Sequence, residues 1–312
     1  MDLFTVAFLI ILFGAAPGIF YLWFFYKRDK WEHEPLRLVL TVYLFGLIAV
    51  VAALVINDTV AVITGSAVAT LVISAPVAEE SLKWGVVRWR AYNRKEFNEP
   101  LDGLVYGAAA ALGFATLENV VFYLFPTFLE SGFSAAFLYL AIVRGLFSVP
   151  GHAIWTGTSC FFLGVAKFSP KGPRRNGVML GGLGLAIALH ATWNGVIGGV
   201  IADVFNVFGA LLAMIMFTAC SWVLIANLIN RGLNRSPFNP TRRTPVPSAV
   251  LGARMSKAVP PSLSAARSTA SHFCPYCGTP LGRIARFCPA CGAQLNAETE
   301  AGLSALQSEK SE

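Results

Sequence analysis

Several apolar runs in this chain approach or exceed the roughly 20 residues that cross a bilayer as an α-helix, beginning with LFTVAFLIILFGAAPGIFYLWFFY at residues 3–26. Lipid offers no partner to a peptide group, so such runs must form helices or close into a barrel. Unbroken apolar stretches fit helices and not the alternating pattern of barrel strands. Composition agrees: 55% of the 312 residues are hydrophobic and 13% are charged, against roughly 25% charged in soluble domains. The expected fold is an all-α polytopic membrane protein.

Spans are expected near 3–26, 37–56, 62–86, 103–125, 148–168, 177–200 and 205–229. The first lacks a basic leader segment and carries Asp2, which reads as a retained span and not a cleaved signal. Residues 133–147 are apolar but short and contain Arg144. They suit a re-entrant or interfacial helix or an extra half-helix, with eight spans as the alternative to seven. Lys and Arg cluster in alternate loops: Lys27, Arg28 and Lys30; Arg88, Arg90, Arg94 and Lys95; Lys167, Lys171, Arg174 and Arg175; Arg231, Arg235, Arg242 and Arg243. Cytoplasmic loops hold the excess of positive charge, so the N-terminus is expected outside and the C-terminus in the cytoplasm. The net charge of +7 is thereby explained by topology, with lipid as the surrounding partner and no nucleic-acid partner expected.

The expected organisation is a membrane core over 1–230, a Pro- and Ser-rich flexible linker over 231–271, a metal module over 272–295 and a polar, disordered tail over 296–312. Cys274-x2-Cys277 and Cys288-x2-Cys291 place four thiolates where they can close a tetrahedron around structural zinc. About 25 residues cannot build a core of their own, so the metal supplies the folding energy. A cytoplasmic location disfavours disulfides. With only Arg283 and Arg286 basic inside it, the ribbon is read as a docking site for a cytoplasmic protein partner. Cys160 and Cys220 stand alone in apolar runs and read as packing residues.

An ionisable group within a bilayer costs roughly 2.5–3.5 kcal/mol on the insertion scale. This chain places Glu79, Glu80 and Lys83 in the third span, Glu118 and Asn119 in the fourth, His152 in the fifth, and His190 with Asn194 in the sixth. Four helices bearing such residues imply that they turn toward each other in one intramembrane cavity. Glu79 and Lys83 are four apart and share a helix face, so they are expected to pair, leaving Glu80 as a candidate for the cavity. Neither a Gly-x-Ser-x-Gly nor a His-Glu-x-x-His motif is present. Two chemistries suit the residues. In one, Glu118, His152 and His190 hold a catalytic zinc and Glu79 or Glu80 is the base. In the other, a glutamate activates water directly, and His190 with Asn194 donates to the oxyanion. Outside catalysis, the same carboxylates would suit a proton- or cation-coupled transporter, or a scaffold or immunity protein recruiting through the ribbon.

The motifs Glu79-Glu80-x2-Lys83, Phe114-x3-Glu118-Asn119-x3-Tyr123, His152-x2-Trp155 and His190-x2-Trp193-Asn194 together resemble the PrsW family of intramembrane peptidases. That family belongs with the CAAX-prenyl endopeptidase and bacteriocin-immunity superfamily. The likeness covers roughly residues 60–200, with the ribbon as an appendage. The wider superfamily carries Arg where this chain has Lys83 and His where it has Glu118, while His190-x3-Asn194 matches outright. The resemblance implies cleavage of membrane-anchored protein substrates such as anti-sigma factors. It also implies Glu79 as the water-activating base, with Glu80 in support.

Overall fold

A computed structural model describes residues 2–195, 207–242, 270–273 and 280–282. Its helices track the apolar runs: α1 (Leu3–Tyr26), α2 (Leu36–Thr64), α3 (67–90), α4 (Pro100–Ser131), α5 (Ala135–Lys167), α6 (Pro173–Thr192) and α7 (Val207–Arg235). Local chemistry sets several ends. Asp2 caps α1 by accepting from the Thr5 amide at 2.8 Å, which satisfies one of the unpaired donors of a first turn. Gly65 stops α2 at φ 60°, a conformation that suits glycine. Pro100 opens α4, and Glu99 and Asp102 form a capping box around it.

Among the described residues, five helices (α1, α2, α4, α5 and α7) are long and apolar enough to cross a membrane. The expected third and sixth spans correspond to α3 and α6, which carry the charged and polar groups of the site and of the basic loops. Large apolar side chains face outward along the bundle, including Phe8, Ile19, Ile48, Val55 and Leu212. Soluble monomers do not expose such continuous apolar surface; lipid covers it here. The protein is a multi-pass membrane protein.

Of the readings open for residues 133–147, the extra half-helix fits: 135–148 run without a break into the rest of α5 and form no separate span. This half of α5 packs against the end of α4 and the start of α1 through Phe137, Ala141, Leu124 and Ile10. Likewise, α7 continues to Arg235, taking in residues 231–235 that the composition places in the linker.

The middle of the bundle is the α4–α5 pair. Residues Leu101–Thr116 of α4 and Val149–Phe161 of α5 are buried throughout. Glycine permits the close approach. A Cβ on Gly103 would lie 2.0 Å from the Cys160 carbonyl oxygen, and one on Gly113 would lie 2.0 Å from that of Tyr43 on α2. Backbone cannot yield as a side-chain tip can. Gly103→Val is therefore expected to lower the unfolding midpoint of the purified protein by a cost of at least about 1–3 kcal/mol. Gly184→Ala, with nothing within 4 Å of its added Cβ, should leave the midpoint unchanged.

Among the described residues, π-helical segments interrupt α3, α4 and α5, at Ala69–Ser74, Glu118–Leu124 and Arg144–Ser148, and a further stretch at 193–195 follows α6. Such segments shift the rotational phase of the helix beyond them and recur at functional sites. The chain divides into two units, Met1–Ser236 and Pro237–Glu312. The second contains a short antiparallel pair, β1 (Ala270–Phe273) and β2 (Pro280–Gly282), with Phe273 opposite Pro280. Cys274, Cys277, Cys288 and Cys291 lie outside the described residues.

Candidate active site

Lys83 on α3 is fully buried, with no exposed surface. Its ammonium donates to Glu80 Oε1 at 2.5 Å and approaches His152 Nδ1 at 3.1 Å. Glu79 Oε2 is farther away, at 3.8 Å. The expected Glu79–Lys83 pair is thus present as the longer contact, while Glu80, three residues before Lys83, takes the short one. Spacings of three and four both share a helix face, and tertiary partners decide between them. Thr156 on α5 donates to Glu80 Oε2 at 2.7 Å, and His190 Nδ1 on α6 lies 3.0 Å from Glu80 Oε1. Glu80 is therefore a saturated hub joining α3, α5 and α6.

Glu118 opens the π-segment of α4 and Arg144 opens that of α5. Arg144 Nη2 donates to Glu118 Oε2 at 2.7 Å, and its Nε donates to Asn119 Oδ1. Glu118 Oε2 also lies 3.3 Å from His152 Nε2. Arg144 is absent from the resembling motifs, yet the sequence around it carries a signal. A lone cation in an apolar stretch requires a buried counter-charge, and Glu118 supplies it. Thr156 also stands outside those motifs; its signal is its place four residues after His152, on the same face of α5.

Glu79, Glu80, Glu118, His152 and His190 lie together, with the two imidazole centroids 5.1 Å apart. Asn194 does not join them: its side chain donates to the Leu71 carbonyl at 2.9 Å, tying α6 to the π-segment of α3. The fully buried Trp155 ring stacks on His190 with centroids 4.7 Å apart.

Glu79, His152 and His190 can each offer one ligand atom such that all three lie within 4.8 Å of one another. Glu79 Oε2 is buried and has no hydrogen-bond partner, an uncommon and costly state for a carboxylate oxygen. One carboxylate and two imidazoles form a donor set that suits zinc. His190 is well arranged for it. Its Nδ1–H donates to Glu80, which leaves the Nε2 lone pair on the side of Glu79 Oε2, 3.9 Å away. Binding through His152 Nε2 would place that ring's proton on Nδ1, so Lys83 would have to direct its hydrogens to Glu80 and Glu79. Glu118, expected as a ligand, is not one of these three; its Oε2 lies between Arg144 Nη2 and His152 Nε2.

Known proteins share this part of the chain. A family model described as PrsW family intramembrane metalloprotease matches residues 34–221, and a zinc-ribbon domain model matches residues 271–295. The Protease PrsW of Geobacillus kaustophilus is 40% identical over 166 residues, covering 53% of this chain and 69% of that protein. The Protease PrsW of Bacillus subtilis is 36% identical over 164 residues, covering 52% and 71%. That of Clostridioides difficile is 24% identical over a longer stretch of 241 residues, covering 76% and 93%. No solved structure matches.

Proposed function

Because this chain belongs to the PrsW family and is an intramembrane protease carrying a C-terminal zinc-ribbon domain, we propose that it hydrolyses membrane-anchored protein substrates at the cluster joining α3 to α6. Zinc held by Glu79, His152 and His190 is the form of the site we favour. The observation that carries this reading is the orphaned Glu79 oxygen beside two imidazoles. Bound there, zinc supplies a Lewis acid for the scissile carbonyl and for water.

The chain's own groups do the rest. Glu80 fixes His190 through Nδ1, and Thr156 and Lys83 fix Glu80. Such outer contacts set the tautomer and direction of a ligand. Glu118, oriented by Arg144, is the remaining carboxylate and serves as the base. Water oxygen bonds to the carbonyl carbon while its proton passes to Glu118. The same carboxyl then returns a proton to the amine as the C–N bond breaks. An open apolar groove of about 610 Å³ between α2 and α3, lined by Ile56, Val60, Ile73, Val77 and Ala78, suits an apolar substrate segment. Regulators such as anti-sigma factors are the proposed substrate class. Docking of a cytoplasmic partner is the proposed role of the ribbon.

A metal-free reading uses the same orphaned oxygen, with Glu79 itself activating water. Zinc content of the full chain separates the two. His190→Ala and Glu79→Gln should each contain one zinc fewer per chain than the unaltered protein, and neither should cleave a membrane-anchored peptide in proteoliposomes. Unaltered zinc content in both, with activity lost, would assign Glu79 as the base and exclude the metal form. Topology is proposed from the loop charges: the basic loops and the C-terminus face the cytoplasm. A C-terminal alkaline phosphatase fusion should be inactive and a fluorescent cytoplasmic reporter bright; the reverse would overturn the orientation.

A further inference from the structure

At the end of the bundle that carries the basic loops lies a second buried polar cluster, separate from the candidate active site. Asp29, in the loop after α1, is fully buried; the backbone of Trp31 and Glu32 faces its carboxylate, but neither oxygen receives a hydrogen bond of good geometry. Glu99 and Asp102 meet it from the start of α4; the three residues each offer an oxygen within 4.8 Å of the others. Both are nearly fully buried, each 1% exposed.

Helix capping explains part of this arrangement only. Asp102 Oδ2 accepts from the amides of Asn98 and Glu99 at 2.6 and 2.8 Å, which is ordinary N-terminal capping. Its side chain also meets that of Glu34, carboxyl to carboxyl. Asp29 comes from a different segment and takes no part in the cap. Glu34, also buried, accepts from the Tyr106 hydroxyl through Oε2 and adds a fourth carboxyl to the cluster. The ammonium of Lys167 is engaged nearby with the carbonyls of Tyr92 and Phe97, at 2.6 Å each.

We propose that Asp29, Glu99 and Asp102 bind a hard divalent cation, Ca²⁺ in preference to Mg²⁺, which clamps the α1–α2 loop to the start of α4. The donor set is all oxygen and mainly carboxylate, which selects calcium, magnesium or manganese over zinc. An all-protein cage of carboxylates favours Ca²⁺, because Mg²⁺ dehydrates reluctantly, demands regular octahedral geometry and usually keeps several waters. Burial pushes the carboxyls of Asp29 and Glu34 up to about 7 and that of Glu99 up to about 8. Proton uptake is the competing way to neutralise the cluster, and the experiment distinguishes it.

The test uses the full chain in detergent with buffers stripped of divalent ions. Radioactive ⁴⁵Ca²⁺ binding and the thermal midpoint are read together. The expected result is saturable binding of one Ca²⁺ per chain and a midpoint that rises with its concentration. Asp29→Asn should weaken the affinity by about tenfold or more, as loss of one charged ligand oxygen set implies. Glu99→Asp, which keeps the charge and shortens the side chain, does the same duty if Asp29→Asn fails to fold. Glu79→Gln, altered in the other cluster, should bind Ca²⁺ like the unaltered chain. The proposal is overturned if neither Ca²⁺, Mg²⁺ nor Mn²⁺ binds saturably at concentrations above the roughly 10⁻⁴–10⁻³ M range of weak calcium modules. It is equally overturned if Asp29→Asn binds undiminished. An ion-insensitive chain that Asp29→Asn stabilises would identify a cluster held neutral by protons instead.

Discussion

Lys83→Met is expected to lower the stability of the membrane core by about 3–5 kcal/mol, because it strands a buried carboxylate. Glu80 is fully buried and its Oε1 meets the Lys83 ammonium at 2.5 Å. The methionine fills similar volume but neutralises nothing. Thr156 and His190 would still face Glu80, so part of its hydrogen bonding survives. Denaturant titration of the purified protein in micelles should show the loss. Lys83→Met combined with Glu80→Gln removes both charges and should recover much of it, since the larger penalty lies in the unpaired ion. A midpoint for Lys83→Met equal to that of the unaltered protein would mean that Glu80 carries no charge for Lys83 to neutralise.

Glu118→Gln is expected to lower kcat on a membrane-anchored peptide by about 10²- to 10⁴-fold, the span of a lost general base. Glutamine keeps the size and can still accept from Arg144, so the fold and the zinc content should not change. Arg144→Lys tests the same assignment differently. It keeps a cation but loses the two-point contact with Glu118 and Asn119, and should slow turnover less than Glu118→Gln does. Glu118→Gln with full activity would remove Glu118 from catalysis and return the role of base to Glu79.

Much of the plan was legible in the chain itself. Apolar runs demanded helices, and the cost of ions in lipid demanded that Glu79, Glu80, Glu118, His152 and His190 be shielded from it. The paired Cys-x2-Cys knuckles reported a ribbon, which the matching domain model over 271–295 supports. Those inferences depend on composition and spacing, and lipid makes both unusually informative. They do not depend on knowing which helix touches which.

Contacts between helices, by contrast, were settled by packing. Helical spacing allowed Lys83 to take Glu79 or Glu80. The choice fell to Glu80 because Thr156 and His190 approach it from α5 and α6, 76 and 110 residues away. Arg144 reaches Glu118 across a hairpin from the stretch that had no clear place among the spans. Asn194 shares a helical face with His190 by α-period, yet it contacts Leu71, because residues 193–195 are π-helical and a π-turn rotates the side chains beyond it. Asp29, Glu99 and Asp102 carry no motif at all; a loop and a helix start about 70 residues apart make them neighbours. Periodicity states which face a side chain occupies. Only packing states what stands opposite it, and in a low-dielectric interior the opposite group determines what each charge can do.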